Sequence, residues 1–214
     1  MRGWLYTILI VLLIRAFLIQ AYVIPTGSME DTLLPGDFLF VFKPIYGIVI
    51  PLTPIKIPER VLPKRRDIVV FRFPYEPKDY VKRTIGLPGD TVEIINKQVY
   101  INGRPLKEPY VVFKDRRIIE WPYDDISPEE FQRLWESGEL MDAEWVRDNF
   151  GPVVVPDGKI FVLGDNRDFS WDSRFWGPLD VKYLRGRPLI IYFSWDPKRR
   201  RIRFNRIFRI VWNW

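Results

Sequence analysis

The sequence predicts a mainly β protein: a partly open antiparallel β-sheet or barrel domain with one N-terminal transmembrane helix and a short helical insertion. Three observations predict it. An apolar run opens the chain, short strand patterns punctuated by Pro and Gly follow from residue 38 onward, and a single later segment carries both helix boundaries. The 214 residues, 47% hydrophobic, are ample for one core. The net charge of +6 comes from 33 basic residues set against 27 acidic ones, so the surplus matters only where it clusters, at the C-terminus. The absence of cysteine excludes disulfides, so the fold does not depend on an oxidising compartment.

Trp4 to Ile14 is unbroken apolar sequence; Arg15 interrupts it and Ala16 to Ile19 resumes it before Gln20. A helix from Trp4 to Gln20 rises roughly 25 Å, a little short of a hydrocarbon core of about 30 Å, and Arg15 can snorkel to an interface. Residues 1–20 are therefore read as a membrane anchor. A cleaved secretory peptide is the rival reading, but Ile19 and Ala21 offer no small-x-small site beyond the apolar run. A three-residue tail stays on the cytoplasmic side, leaving residues 21–214 as a domain on the other face of a single-pass cell-membrane protein.

The expected strands are Phe38 to Phe42, Ile68 to Phe73, Tyr80 to Ile85, Thr91 to Ile95, Val99 to Ile101, Ile160 to Leu163 and Leu189 to Phe193, with Asn96-Lys97 as a tight hairpin turn. Gly47 to Pro58 is unusually apolar for a loop and is expected either to pack inside or to touch lipid. Residues 107–151 form an insertion. In it, Ser127, Pro128 and Glu130 make a capping box, Phe131, Leu134 and Trp135 share a face, and Gly138 is the stop, giving a helix near 128–137.

Three clusters carry chemistry: Pro25-Thr26-Gly27-Ser28-Met29, then Lys82-Arg83 ahead of Leu87-Pro88-Gly89-Asp90, then Gly164-Asp165-Asn166-Arg167-Asp168-Phe169-Ser170-Trp171-Asp172-Ser173-Arg174. A hydroxyl nucleophile needs a neighbouring base, and a chain without histidine has no Ser-His-Asp arrangement. Any serine hydrolase here must use lysine. A lysine serves only when neutral, through burial or adjacent like charge. Strand alternation sends Tyr80, Lys82 and Thr84 to one face and Val81, Arg83 and Ile85 to the other, so Lys82 sits among Tyr80 and apolar neighbours and away from Arg83. The expected consequence is a rate that rises on the alkaline side of neutral. Taken singly, each cluster also has a plainer reading: Ser28 as a turn residue, Lys82-Arg83 as a solvated strand face, and the third cluster as a polar loop stitched by Arg–carboxylate bonds.

In their order and wording, over nearly the whole chain, these clusters resemble the bacterial type I signal peptidases. The resemblance implies that Ser28 is the acylated nucleophile and Lys82 the general base, and that Ser170 orients the lysine amine. Asp172 and Arg174 would buttress that loop, with Arg83 and Asp165 as structural ion partners. The oxyanion would be held by the backbone N–H of Ser28 and the hydroxyl of Thr26, where the family usually has Ser. Residues matching the substrate-pocket walls are Tyr22, Ile24, Pro25, Met29, Leu33, Asp79, Tyr80 and Val81.

A nucleophile a few residues past an anchor lies near the membrane surface, as do the cleavage sites of precursors carrying signal peptides. The resemblance implies that such a precursor binds as an added strand and is cut after small-x-small sites. Expected partners are these precursors and membrane lipid. The basic and aromatic residues from Lys198 through Arg209 to Trp214 suit a headgroup surface better than nucleic acid, or form a strand with one solvated face. No metal or nucleotide cofactor is expected, with no His, no Cys and no phosphate-binding glycine loop. The absence of His also excludes the endoplasmic-reticulum type of signal peptidase, and the apolar start disfavours a self-cleaving repressor. A peptidase dedicated to one exported substrate and a non-catalytic membrane-tethered β domain are the alternatives.

Overall fold

In a computed structural model that describes residues 2–49, 53, 56–58, 61–122 and 126–211, the apolar start of the chain divides in two. Helix α1 spans Arg2–Phe17, 16 residues; at 1.5 Å per residue it rises about 24 Å. No helix among the described residues is long and apolar enough to cross a membrane. Ile19 and Gln20, read from the sequence with the helix, belong instead to strand β1, Ile19–Val23. Isoleucine, tyrosine and valine favour extended backbone, and pairing in register with residues 38–42 gives the segment partners that a longer helix would not.

The remaining strands are β2 (Asp37–Phe42), β3 (Ile48–Val49), β4 (Lys56–Ile57), β5 (Ile68–Arg72), β6 (Asp79–Gly86), β7 (Thr91–Ile95), β8 (Gln98–Ile101), β9 (Arg104–Pro105), β10 (Phe150–Val154), β11 (Lys159–Leu163), β12 (Leu179–Asp180), β13 (Leu184–Asp196) and β14 (Arg201–Ile202). Two further helices are α2 (Pro128–Ser137) and α3 (Ser173–Trp176). Among the described residues the main sheet is antiparallel and curled, in the order β1-β2-β13-β5-β6-β11-β12, with β14 on β13. A second antiparallel sheet runs β10-β7-β8-β9, and β3 pairs with β4 within the expected apolar loop of residues 47–58, part of which lies outside the described residues.

Two apolar cores follow from strand alternation. The larger gathers Phe71, Phe73, Phe131, Trp135, Phe150 and Phe161 between the two sheets and α2. There the Ser127 hydroxyl caps α2 by accepting from Glu130 N, Gly138 ends it at φ 78°, and Trp135 Nε1 donates to Ser173 O at 2.6 Å, tying α2 to α3. The smaller core holds Ile24, Met29, Leu33, Leu39, Val41, Ile68, Val70 and Ile191. It seats the turn that carries Ser28. Truncating a fully buried side chain such as Met29 or Leu33 to Ala costs about 2–5 kcal/mol, so this turn is held by packing as well as by hydrogen bonds.

Candidate active site

The serine turn is the crossing from β1 to β2. Its ends are pinned where Ile24 N–H donates to Asp37 O at 2.9 Å and Gly36 N–H donates to Ile24 O at 2.8 Å. Inside it, Leu33 N–H donates to Met29 O at 2.7 Å and both side chains are buried. Ser28 is half-buried just ahead of this anchor, and Thr26 and Pro25 are exposed.

Lys82 lies on β6 opposite Val69 of β5 and is 2% exposed. Its Nζ donates to Ser170 Oγ at 3.0 Å. Burial depresses its pKa to about 8; the Asp172 carboxylate pulls it back up and the Arg174 guanidinium pushes it further down. A neutral amine is thus within reach near neutral pH.

The loop after β11 supplies Ser170. Its shape is set by Asp172, which caps α3 by accepting from Arg174 N and also accepts from Gly164 N at 3.1 Å. Arg174 Nε donates to Asp172 Oδ1 at 2.8 Å, and its terminal nitrogen donates to Arg167 O and Ser170 O. Burial alone would raise the Asp172 pKa, but the Arg174 charge and hydrogen bonds, Lys82 and the Ser170 hydroxyl hold it below the usual carboxylate range. Gly164 is a packing necessity. A Cβ there would overlap Ser170 Oγ and stand 2.5 Å from Ser28 O, so the Ser170 side chain and the Ser28 carbonyl both press on this glycine and the serine turn lies against the loop that carries Ser170.

Arg83, on the opposite face of β6, donates to Asp165 through Nε at 2.7 Å and a terminal nitrogen at 2.5 Å, with Tyr110 stacked 3.8 Å beneath its guanidinium. Thr32 Oγ1 donates to the same carboxylate at 2.6 Å, which ties the serine turn to the lysine strand. Arg167 makes a second buried bidentate pair, with Glu108.

Of the residues matched to pocket walls, Ile24, Met29 and Leu33 are in the smaller core with Tyr22 and Val81 packed on it. Tyr22 hydroxyl donates to Asp79 Oδ2 at 3.1 Å, joining β1 to the start of β6; burial and that carboxylate push the Tyr22 phenol up, so it stays a donor. Among the described residues, β1 ends the sheet and β11 pairs with β6 only at Arg83, Thr84 and Gly86, which leaves one edge of β1 and of the first half of β6 without a strand partner there. Tyr80 packs against Phe73 at 4.8 Å.

The sequence reading missed several supports. Asn166 bonds to both Gly27 and Ser28, Thr32 bridges to Asp165, and Val112 in the insertion donates to Asp165 O. The basic C-terminal stretch is not one solvated face. Arg206 is buried, donating to both oxygens of Asp37 and to Thr32 O, whereas Phe204 and Phe208 are exposed. Trp212 and Trp214 lie outside the described residues. Asn166 stood inside the third cluster and carried that signal; Arg206 carried none, since a charge run does not name a partner 169 positions away.

A buried lysine amine bonded to a serine hydroxyl, on a β scaffold with the serine turn close by and no histidine anywhere in the chain, is the setting of a lysine-dependent serine hydrolase. The family model described as "Signal peptidase, peptidase S26" matches residues 1–195. The signal peptidase I of Pseudomonas aeruginosa is 37% identical over 214 residues, covering 92% of this chain and 73% of that one. The signal peptidase I of Bacillus licheniformis is 35% identical over 202 residues, covering 93% and 90%. The crystal structure of a signal peptidase I from Enterococcus faecalis V583 shares 33% identity and covers 59% of this chain and 97% of its own, with a TM-score of 0.42, too low for the overlay to bear on the fold. The chain belongs to the signal peptidase family, peptidase S26, and is a serine endopeptidase.

Proposed function

We propose that the protein is anchored by its N-terminal helix and removes signal peptides from exported precursors after small-x-small sites, with Ser28 as nucleophile and Lys82 as general base. The observation that carries this reading is the buried Lys82 amine, its pKa drawn down to about 8 and its Nζ 3.0 Å from Ser170 Oγ, beside the serine turn. Neutral Lys82 takes the Ser28 proton as Oγ attacks the scissile carbonyl. The resulting oxyanion accepts from Ser28 N–H and the Thr26 hydroxyl. As the tetrahedral intermediate collapses, Lys82 returns the proton to the departing amine of the mature protein, leaving the signal peptide esterified to Ser28. Water then attacks the ester; Lys82 takes its proton and passes it to the Ser28 oxygen, freeing the signal peptide and restoring the enzyme.

Ser170, oriented by Asp172 and Arg174, holds the amine. Arg83 and Asp165 hold the lysine strand to the serine turn. The free edges of β1 and of the first half of β6 accept the extended precursor, with Tyr22, Ile24, Pro25, Met29, Leu33, Asp79, Tyr80 and Val81 along its path. Helix α1 serves as anchor, with the N-terminus cytoplasmic and the chain from β1 onward as the extracytoplasmic catalytic domain. Lipid is the expected partner of α1 and of the exposed C-terminal aromatics.

The test is cleavage of a preprotein with an Ala-x-Ala site, in detergent, by wild type, Ser28→Ala and Lys82→Ala. Activity in wild type and none in either folded variant is the expected result. A folded wild type inert on several such preproteins would instead favour a peptidase dedicated to one exported substrate.

A further inference from the structure

The peptide unit between Gly27 and Ser28 is planar and trans, so its carbonyl and its N–H point opposite ways. Whatever fixes the Gly27 oxygen therefore aims the Ser28 N–H. Asn166 does so from the far side of the site: its Nδ2 donates to Gly27 O at 3.0 Å, and its backbone N–H donates to Ser28 O at 3.1 Å. Glu30 N–H adds a weaker bond to Gly27 O at 3.2 Å. The two Asn166 bonds grip consecutive carbonyls, as a clamp on one short segment. Gly164, two residues earlier, lets this loop approach closely enough to make them.

Asn166 is 2% exposed, and its Oδ1 is buried with no hydrogen-bond partner among the described residues. A buried amide kept only for scaffold stability is expected to have both ends satisfied. Here one end is left unmet and the other is spent on the peptide that carries the oxyanion donor. A donor to Gly27 O also polarises that peptide and strengthens its N–H as a donor.

We propose that Asn166 is a positioning residue for the oxyanion site, holding the Gly27–Ser28 peptide so that the Ser28 N–H meets the scissile carbonyl oxygen as charge develops on it. The proposal rests on the reading of Ser28 as nucleophile. It separates the roles in the third cluster: Ser170 serves the base and Asn166 serves the oxyanion.

The experiment compares wild type, Asn166→Ala, Asn166→Asp and Ser28→Ala on an Ala-x-Ala preprotein, with melting temperatures and pH profiles. Both Asn166 variants keep the backbone bond to Ser28 and lose the side-chain donor to Gly27. The expected result is a fall in kcat of about 10- to 100-fold, somewhat less than the 10²–10³ that loss of a donor itself costs. KM stays within about twofold, because the interaction is made in the transition state, and the rise in rate still centres near pH 8, because Lys82 is bonded to Ser170 and not to Asn166. A peptide aldehyde ending in Ala-x-Ala, whose hemiacetal oxygen occupies the oxyanion position, loses affinity by a similar factor in both variants.

An unchanged kcat in folded variants overturns the proposal, as does a change confined to KM. A loss of activity that merely follows a melting temperature below the assay temperature places Asn166 in the scaffold and overturns it too. Cleavage surviving in Ser28→Ala would instead remove the nucleophile assignment, and this inference with it.

Discussion

Lys82 Nζ donates to Ser170 Oγ across 3.0 Å, two residues before the Asp172 carboxylate that Arg174 and Gly164 hold in place. In that bond Ser170 meets the amine with a lone pair of its hydroxyl oxygen. The neutral amine therefore satisfies Ser170 with an N–H and keeps its own lone pair for another proton, which on the proposed mechanism is that of Ser28. Ser170→Ala is expected to lower kcat by about 10- to 100-fold, less than the 10²–10⁴ credited to a whole general base. Steady-state kinetics with a folded variant checks it.

kcat/KM is expected to rise with pH and level off above about 8, since the active form has Lys82 neutral and burial has drawn its pKa down to that value. A profile flat from pH 6 to 9 would contradict the assignment of Lys82 as base.

Lys82 also leaves a thermodynamic trace. Its folded pKa, about 8, is below the unfolded value of 10.5, so between those limits the unfolded chain binds more protons and stability rises with pH. Below pH 8 the cost is fully present, about 3 kcal/mol. Lys82→Met is therefore expected to be inactive yet more stable at neutral pH, with the rise in stability from pH 8 to 10.5 abolished. Denaturant melts at a series of pH values measure both effects.

Gly164→Ala is expected to inactivate the enzyme and to destabilise it by about 1–3 kcal/mol, the usual range for overpacking. The added methyl would collide with Ser170 Oγ and the Ser28 carbonyl together. Calorimetry and the preprotein assay on one sample test the pair of effects.

Asp165→Ala strands the Arg83 guanidinium, which is 1% exposed, and is expected to cost about 3–5 kcal/mol, the range for breaking a buried ion pair from one side. The double variant Arg83→Met with Asp165→Leu is expected to regain much of that stability, because no charge is then left unpaired. A double-mutant cycle in urea decides it.

Residues 68–72, a continuous apolar run, and 91–95, whose burial alternates, were legible as strands because both patterns are local, and the α2 boundaries were legible because capping is local. β1 was not, since Ile19–Val23 continues an apolar run that reads equally as helix until its pairing with β2 is known. β13 runs from Leu184, well before the apolar core of the strand, because bulges at Arg185, Leu189 and Tyr192 adjust the register while Arg187 and Pro188 stay paired opposite Phe42 and Val41. Lys82 and Ser170, and Asp172 with Arg174, stand in the clusters the sequence marks and meet in the fold, whereas the more distant supports carry no such mark. Thr32 and Arg206 look like ordinary surface residues until the fold brings them to Asp165 and Asp37.

The contacts that finish the site are distant along the chain: Arg83 meets Asp165 across 82 positions, Lys82 meets Ser170 across 88, and Thr32 meets Asp165 across 133. Contacts of this kind form late, after the loop-closure entropy of the intervening chain has been overcome. A chain still folding would thus hold Ser28 and Lys82 apart, with the lysine solvated and protonated. On the reading of Ser28 and Lys82 as the catalytic pair, proteolytic power is a property of the closed fold alone: it arrives with these long-range contacts and goes as they open.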